Sequence, residues 1–251
     1  MSEKNRFRKK INKRFIPNIF TVLNMYLGFS AIALLINGNP IQAAWFVFSA
    51  AILDAFDGKL ARMLGIESTF GTEFDSFADT VSFCVTSSLL IYTTWTTGLH
   101  PILAIVFSFI PILLGTIRLA KFNVNSEELS ISYTGLTTPL YGNLLFSYVL
   151  FSNYLFGNLG DPRIGLALTL IMGMLMVTRF ELGVMPYLSF KKGRRNNIRL
   201  LSGILLLASI IFLEGLLIFP VLLFYVLLGV IKSLSRNEKF VIAGRIKPNR
   251  N

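Results

Sequence analysis

DAFDGKLARMLGIESTFGTEFDSFAD, residues 54–79, is a polar interruption in a chain that is otherwise mostly apolar. Asp54 and Asp57 are three residues apart and share a helix face, which Gly58, Ala61 and Arg62 extend at helical spacing. Asp75 and Asp79 are four apart, with Gly71 one turn before them. If two adjacent helices turn these faces toward each other, four carboxylates meet at one point near a membrane edge.

That convergence has an energetic consequence. An ionised Asp at the centre of a membrane helix costs about 2.5 to 3.5 kcal/mol, so four unpaired ones would cost on the order of 10 kcal/mol. Lys59 and Arg62 are too few to neutralise them together with Glu67 and Glu73. Divalent cations with oxygen ligands are the natural solution, and two would balance four negative charges. A buried ion network that only fixes helix packing is the other reading of the same residues.

Outward from this stretch, the composition points to a membrane. The 251 residues are 53% hydrophobic and 15% charged, and the mean hydropathy is +0.63. These values exclude a soluble globular domain and predict an all-α, polytopic bundle of about eight transmembrane helices. The expected organisation is a basic interfacial segment (residues 1–15), one membrane domain (16–232) and a basic tail (233–251). The single Cys84 excludes an internal disulfide and reads as a small buried thiol.

The net charge of +11 is read through its distribution. With eight spans and both termini cytoplasmic, all Lys and Arg except Arg163 fall on the inner side, which satisfies the positive-inside rule. Anionic membrane lipids, not nucleic acid, are the partners this charge predicts.

In chain order, EKNRFRKKINKRF (residues 3–15) spaces Phe7, Ile11 and Phe15 as in an amphipathic helix on a membrane surface, and a solvated positive tail is the other reading of the same residues. The apolar run 16–36 is too long for the core of a signal peptide, and Pro17 suits the first turn of a helix. Further spans are expected at about 41–62, 71–97, 101–122, 134–156, 163–187, 198–213 and 215–232. The second and third deliver the two carboxylate pairs to the same depth. His100, the only histidine, falls in a turn at the opposite end.

The spacing of Asp54, Asp57-Gly58, Ala61-Arg62, Gly71, Asp75 and Asp79 resembles the signature of the CDP-alcohol phosphotransferases, with every position filled. The resemblance implies a membrane enzyme that transfers a phosphatidyl or related group from a CDP-linked donor to an alcohol, releasing CMP. It implies that Asp54, Asp57, Asp75 and Asp79 hold two divalent metals, Mg2+ or Mn2+, and that Asp79 is also the general base. Pro17, Asn18, Gly58, Arg62, Ser68 and Gly71 would bind the CDP-diacylglycerol donor. It also implies a homodimer.

IPNIFTVLNMYLGF in the first span, RLAKFNV after the fourth and YTGLTTP opening the fifth are similar to the CDP-diacylglycerol-serine O-phosphatidyltransferase branch. Relatives that use glycerol 3-phosphate tend to carry Arg where this chain has Asn24. The implied acceptor is L-serine, with Arg118 and Lys121 as candidate partners for its carboxylate; both also fit as positive-inside anchors. Glycerol 3-phosphate, inositol or inositol phosphate are alternative acceptors. A divalent-cation transporter is the alternative from a different class, although transport leaves Gly58, Ala61, Arg62 and Gly71 without a purpose.

Overall fold

The computed structural model of the chain describes residues 3–64, 68–125, 135–178, 213 and 215–235; for residues 3–17, 59–64, 125 and 234–235 it describes the backbone course alone. Every regular element among them is helical: α1 (Glu3–Ile36), α2 (Pro40–Leu64), α3 (Thr69–Trp95), α4 (Pro101–Asn125), α5 (Thr138–Phe156), α6 (Pro162–Val177) and α7 (Ile218–Ser235). Among the described residues, four stretches are long and apolar enough to cross a bilayer, namely Asn18–Ile36, Pro40–Gly58, Thr69–Trp95 and Pro101–Val124. Pro162–Val177 and Ile218–Ser233 are shorter apolar helices. The chain is thus an integral membrane helical bundle. The expected seventh span, all but its last residue, and the end of the sixth beyond residue 178 lie outside the described residues, as do Arg179, Glu181, Glu214 and the basic segment 191–199.

Two boundaries differ from the sequence reading. α1 runs from Glu3 without interruption, so Pro17 lies within a longer helix and not in its first turn. α3 is not a uniform α-helix: Thr80–Val85 and Ile91–Trp95 are π-helical. The first π segment begins directly after Asp79. Such insertions widen the helix and turn the following residues onto a new face, and they concentrate at functional sites.

α1 and α2 form an antiparallel hairpin with the most extensive contact in the bundle. Small residues allow it: Ala31 on α1 and Ala43, Ala44 and Ala50 on α2 are fully buried. α3 crosses α1 closely enough that a methyl group on Gly28 would fall on Ser82, its Cβ only 2.5 Å from the Ser82 Cα. α5 is the central helix. Tyr141, Gly142, Leu144, Leu145, Phe146, Ser147, Tyr148, Val149 and Leu150 are all buried, a pattern without a solvent or lipid face. Surrounded by protein, it carries the polar residues Asn143, Ser147 and Ser152.

The end of the bundle remote from the carboxylates is closed by side chains bonded to backbone. Trp95 Nε1 donates to the Leu159 carbonyl at 3.0 Å, and the Asp161 N–H donates to the Tyr148 hydroxyl at 2.9 Å. His100 is exposed at this end, as a turn residue would be, and its Nδ1 accepts from the Ile102 N–H at 3.4 Å. Cys84 is buried, where its thiol faces Gly115.

Candidate active site and metal centre

α2 ends and α3 begins at the same side of the bundle, so their acidic faces are brought together. One carboxylate oxygen from each of Asp54, Asp57 and Asp75 lies within 4.8 Å of the others. Asp79 adjoins this trio, standing beside Asp54. Asp57 and Asp79 are buried, at 4% and 7% exposure, while Asp54 and Asp75 are partly open. The site therefore has a closed floor and an open mouth.

Each buried carboxylate is held by a threonine from a different helix. The Thr21 hydroxyl on α1 donates to Asp57 Oδ2 at 3.0 Å. The Thr138 hydroxyl in the first turn of α5 donates to Asp79 Oδ2 at 2.9 Å. Arg118 Nη1 on α4 lies 3.4 Å from the same Thr138 oxygen, so guanidinium, hydroxyl and carboxylate form a chain across three helices. Arg118 thus stands beside Asp79. Lys121 follows on the same helix, half-buried.

The residues expected to bind the donor fall in different surroundings. Ser68 is the N-cap of α3, its hydroxyl accepting from the Gly71 N–H at 3.1 Å. An added Cβ on Gly71 would approach that hydroxyl at 3.1 Å and Asn18 Oδ1 at 4.0 Å, so Asn18, Ser68 and Gly71 form one cluster at the mouth. Gly58 has nothing within 4 Å of where its Cβ would be among the described residues. The side chains of Pro17 and Arg62 lie outside the described residues. Beside the mouth, Asn18, Ile19, Val22 and Leu23 of α1 and Phe74 of α3 line an apolar groove of about 340 Å³.

The donor set fits divalent metal. All four ligand candidates are carboxylates, which suit Mg2+ or Mn2+. Asp75 Oδ1 and Asp79 Oδ1 are buried without a hydrogen-bond donor among the described residues, an arrangement that a cation relieves. Three groups here were missed in the sequence. Thr21 and Thr138 stand out in the sequence only as members of the longer stretches IPNIFTVLN and YTGLTTP, and their contacts reveal them as supports. Asn123 on α4 donates to Glu73 Oε2 and to Ser76 Oγ, both at 3.1 Å, and ties α4 to α3 beside Asp75.

Comparison with known proteins supplies the context for this geometry. Residues 14–188 match the family described as CDP-alcohol phosphatidyltransferase. The chain is similar to a CDP-diacylglycerol-serine O-phosphatidyltransferase of Helicobacter pylori, 32% identical over 232 residues that cover 90% of this chain and 93% of the relative. It is also similar to proteins of that name from Bacillus subtilis, 37% identical over 131 residues (52% of this chain, 73% of the relative), and from Methanocaldococcus jannaschii, 31% over 164 residues (65% and 71%). Family membership makes the chain an enzyme and removes the transport reading. With the matched region reaching from α1 past α6 and containing every residue of the carboxylate site, the chain belongs to the CDP-alcohol phosphatidyltransferase family.

Proposed function

We propose that this enzyme transfers the phosphatidyl group of CDP-diacylglycerol to the hydroxyl of L-serine, giving phosphatidylserine and CMP. The observation that carries the choice of acceptor is the near full-length similarity to the H. pylori serine O-phosphatidyltransferase. The carboxylate cluster supports the chemistry, and Asn24 in place of the Arg of glycerol 3-phosphate enzymes supports serine.

In this reading Asp54, Asp57, Asp75 and Asp79 hold two divalent ions. When bound, the ions neutralise charge on the pyrophosphate and on the departing CMP. The protein does the rest. Thr21 and Thr138 orient one carboxylate of each pair. Gly58 leaves space for the nucleotide against α2, and Asn18, Ser68, Gly71 and Arg62 line the same donor site, with Pro17 setting the course of the chain before it. Asp79 accepts the serine hydroxyl proton as the oxygen attacks the diacylglycerol-bearing phosphorus. The bond from that phosphorus to the CMP oxygen breaks, and CMP carries the electron pair away. Arg118 and Lys121 receive the serine carboxylate. The apolar groove beside Asn18 gives the donor's acyl chains a lipid-facing place while the nucleotide faces water.

The finer topology follows from the same reading: eight spans, both termini and the site on the cytoplasmic side, and a homodimer. The test is CMP release by the purified protein with CDP-diacylglycerol, a divalent metal, and serine, glycerol 3-phosphate, inositol or inositol phosphate supplied separately. Release is expected with serine, lost on chelation with EDTA, restored by Mg2+ or Mn2+, and abolished by Asp79→Asn. Release with another acceptor alone would overturn the serine assignment while leaving the family intact.

A further inference from the structure

Asn24 lies next to the carboxylates without a task in the reaction above. It is one turn after Thr21, which donates to Asp57, and four residues before Gly28, which packs on Ser82. Its backbone carbonyl accepts from Ser82 Oγ at 3.0 Å, and Ser82 is three residues beyond Asp79. Two neighbours on two helices therefore fix Asn24 just below both carboxylate pairs. Helical Cα–Cβ bonds lean toward the helix N terminus, so its carboxamide leans toward Thr21 and Asp57.

The carboxamide is completely buried, at 0% exposure, and neither Nδ2 nor Oδ1 has a hydrogen-bond partner among the described residues. Burying both polar atoms of an amide unpaired is unfavourable, and an apolar residue in the same place would avoid that cost. Asp79 Oδ1, on the helical turn before Ser82, is also buried without a hydrogen-bond partner among the described residues. A bound polar molecule would satisfy an amide that can donate and accept together with a carboxylate oxygen that lacks a donor.

We infer that Asn24 is a specificity-determining residue that binds the acceptor amino acid, Nδ2 donating to its carboxylate and Oδ1 accepting from its ammonium group. The inference rests on the serine reading given above. One neutral carboxamide can serve both charges of a zwitterion, because it presents a donor and an acceptor side by side. A phosphorylated acceptor carries only negative charge, and a cation would serve it better.

The test uses the full-length protein in detergent. Apparent KM is measured for serine at saturating CDP-diacylglycerol and for CDP-diacylglycerol at saturating serine, in wild type and Asn24→Ala. The rise in melting temperature on adding serine to protein holding metal and CMP is read in parallel. Asn24→Ala is expected to raise the serine KM tenfold or more, change the donor KM less than twofold, and remove the serine-dependent rise in melting temperature. An unchanged serine KM, or equal change in both KM values, would overturn the inference. If Asn24→Ala does not fold, Asn24→Thr carries the test: a raised serine KM with an unchanged donor KM supports it, and a wild-type serine KM overturns it. Wild-type activity with an acceptor other than serine, and none with serine, would overturn the function reading and the amino-acid pairing together.

Discussion

The Thr138 hydroxyl is the most economical place to perturb the site, because it touches Asp79 without being one of the proposed metal ligands. It is fully buried, donates to Asp79 Oδ2 at 2.9 Å and lies 3.4 Å from Arg118 Nη1. Thr138→Val keeps the branched shape and removes the hydroxyl. A hydrogen bond to a charged group contributes about 1.5 to 3 kcal/mol. If that energy holds Asp79 in its working orientation, kcat/KM with serine should fall by roughly 10- to 150-fold. Thr138→Ser should keep most of the activity, which separates loss of the hydroxyl from loss of packing. The assay is initial-rate CMP release at saturating metal. In an Asp79→Asn background the same substitution should have little further effect on any residual rate, because the two residues act as a unit. A Thr138→Val enzyme within twofold of wild type would refute the claim that this hydroxyl positions Asp79.

Two glycines should respond oppositely to a methyl group. Gly28→Ala places its Cβ against Ser82, so it should lower the melting temperature in detergent, at a cost of about 1–3 kcal/mol for overpacking. Gly58→Ala meets nothing within 4 Å and should leave stability unchanged while raising the KM for CDP-diacylglycerol severalfold; an unchanged donor KM would remove Gly58 from the nucleotide site. Val22→Trp fills the apolar groove beside Asn18. It should raise the KM of a long-chain donor and spare that of a donor with short acyl chains, and an equal effect on both would dissociate the groove from the acyl chains.

The carboxylate site shows where sequence reasoning reaches its limit. The spacing of Asp54, Asp57, Asp75 and Asp79 is legible because helix periodicity is local, and four acids in apolar helices have few inexpensive arrangements. The same economy made two adjacent helices with facing acidic sides readable before any coordinates. The partners of Thr21, Thr138 and Asn24 were not readable, although Asn24 and the segment containing Thr138 already stood out by resemblance. A threonine or asparagine in an apolar helix is compatible with a lipid-facing, packing or ligand-binding place, and only the contact across helices decides which.

The sequence by itself determined the helical class, the membrane setting, the paired acids and the family signature. Each rests on composition or on spacing within one helix, where backbone geometry alone fixes which residues are neighbours. Tertiary structure decided the rest. The π-helical segment after Asp79 sets which face of α3 meets α1, and no local periodicity encodes it. The central position of α5 explains why a helix with Asn143, Ser147 and Ser152 can be buried, since protein surrounds it on all sides. The chain from Arg118 through Thr138 to Asp79 joins residues far apart in sequence, and it exists because α3, α4 and α5 pack against one another.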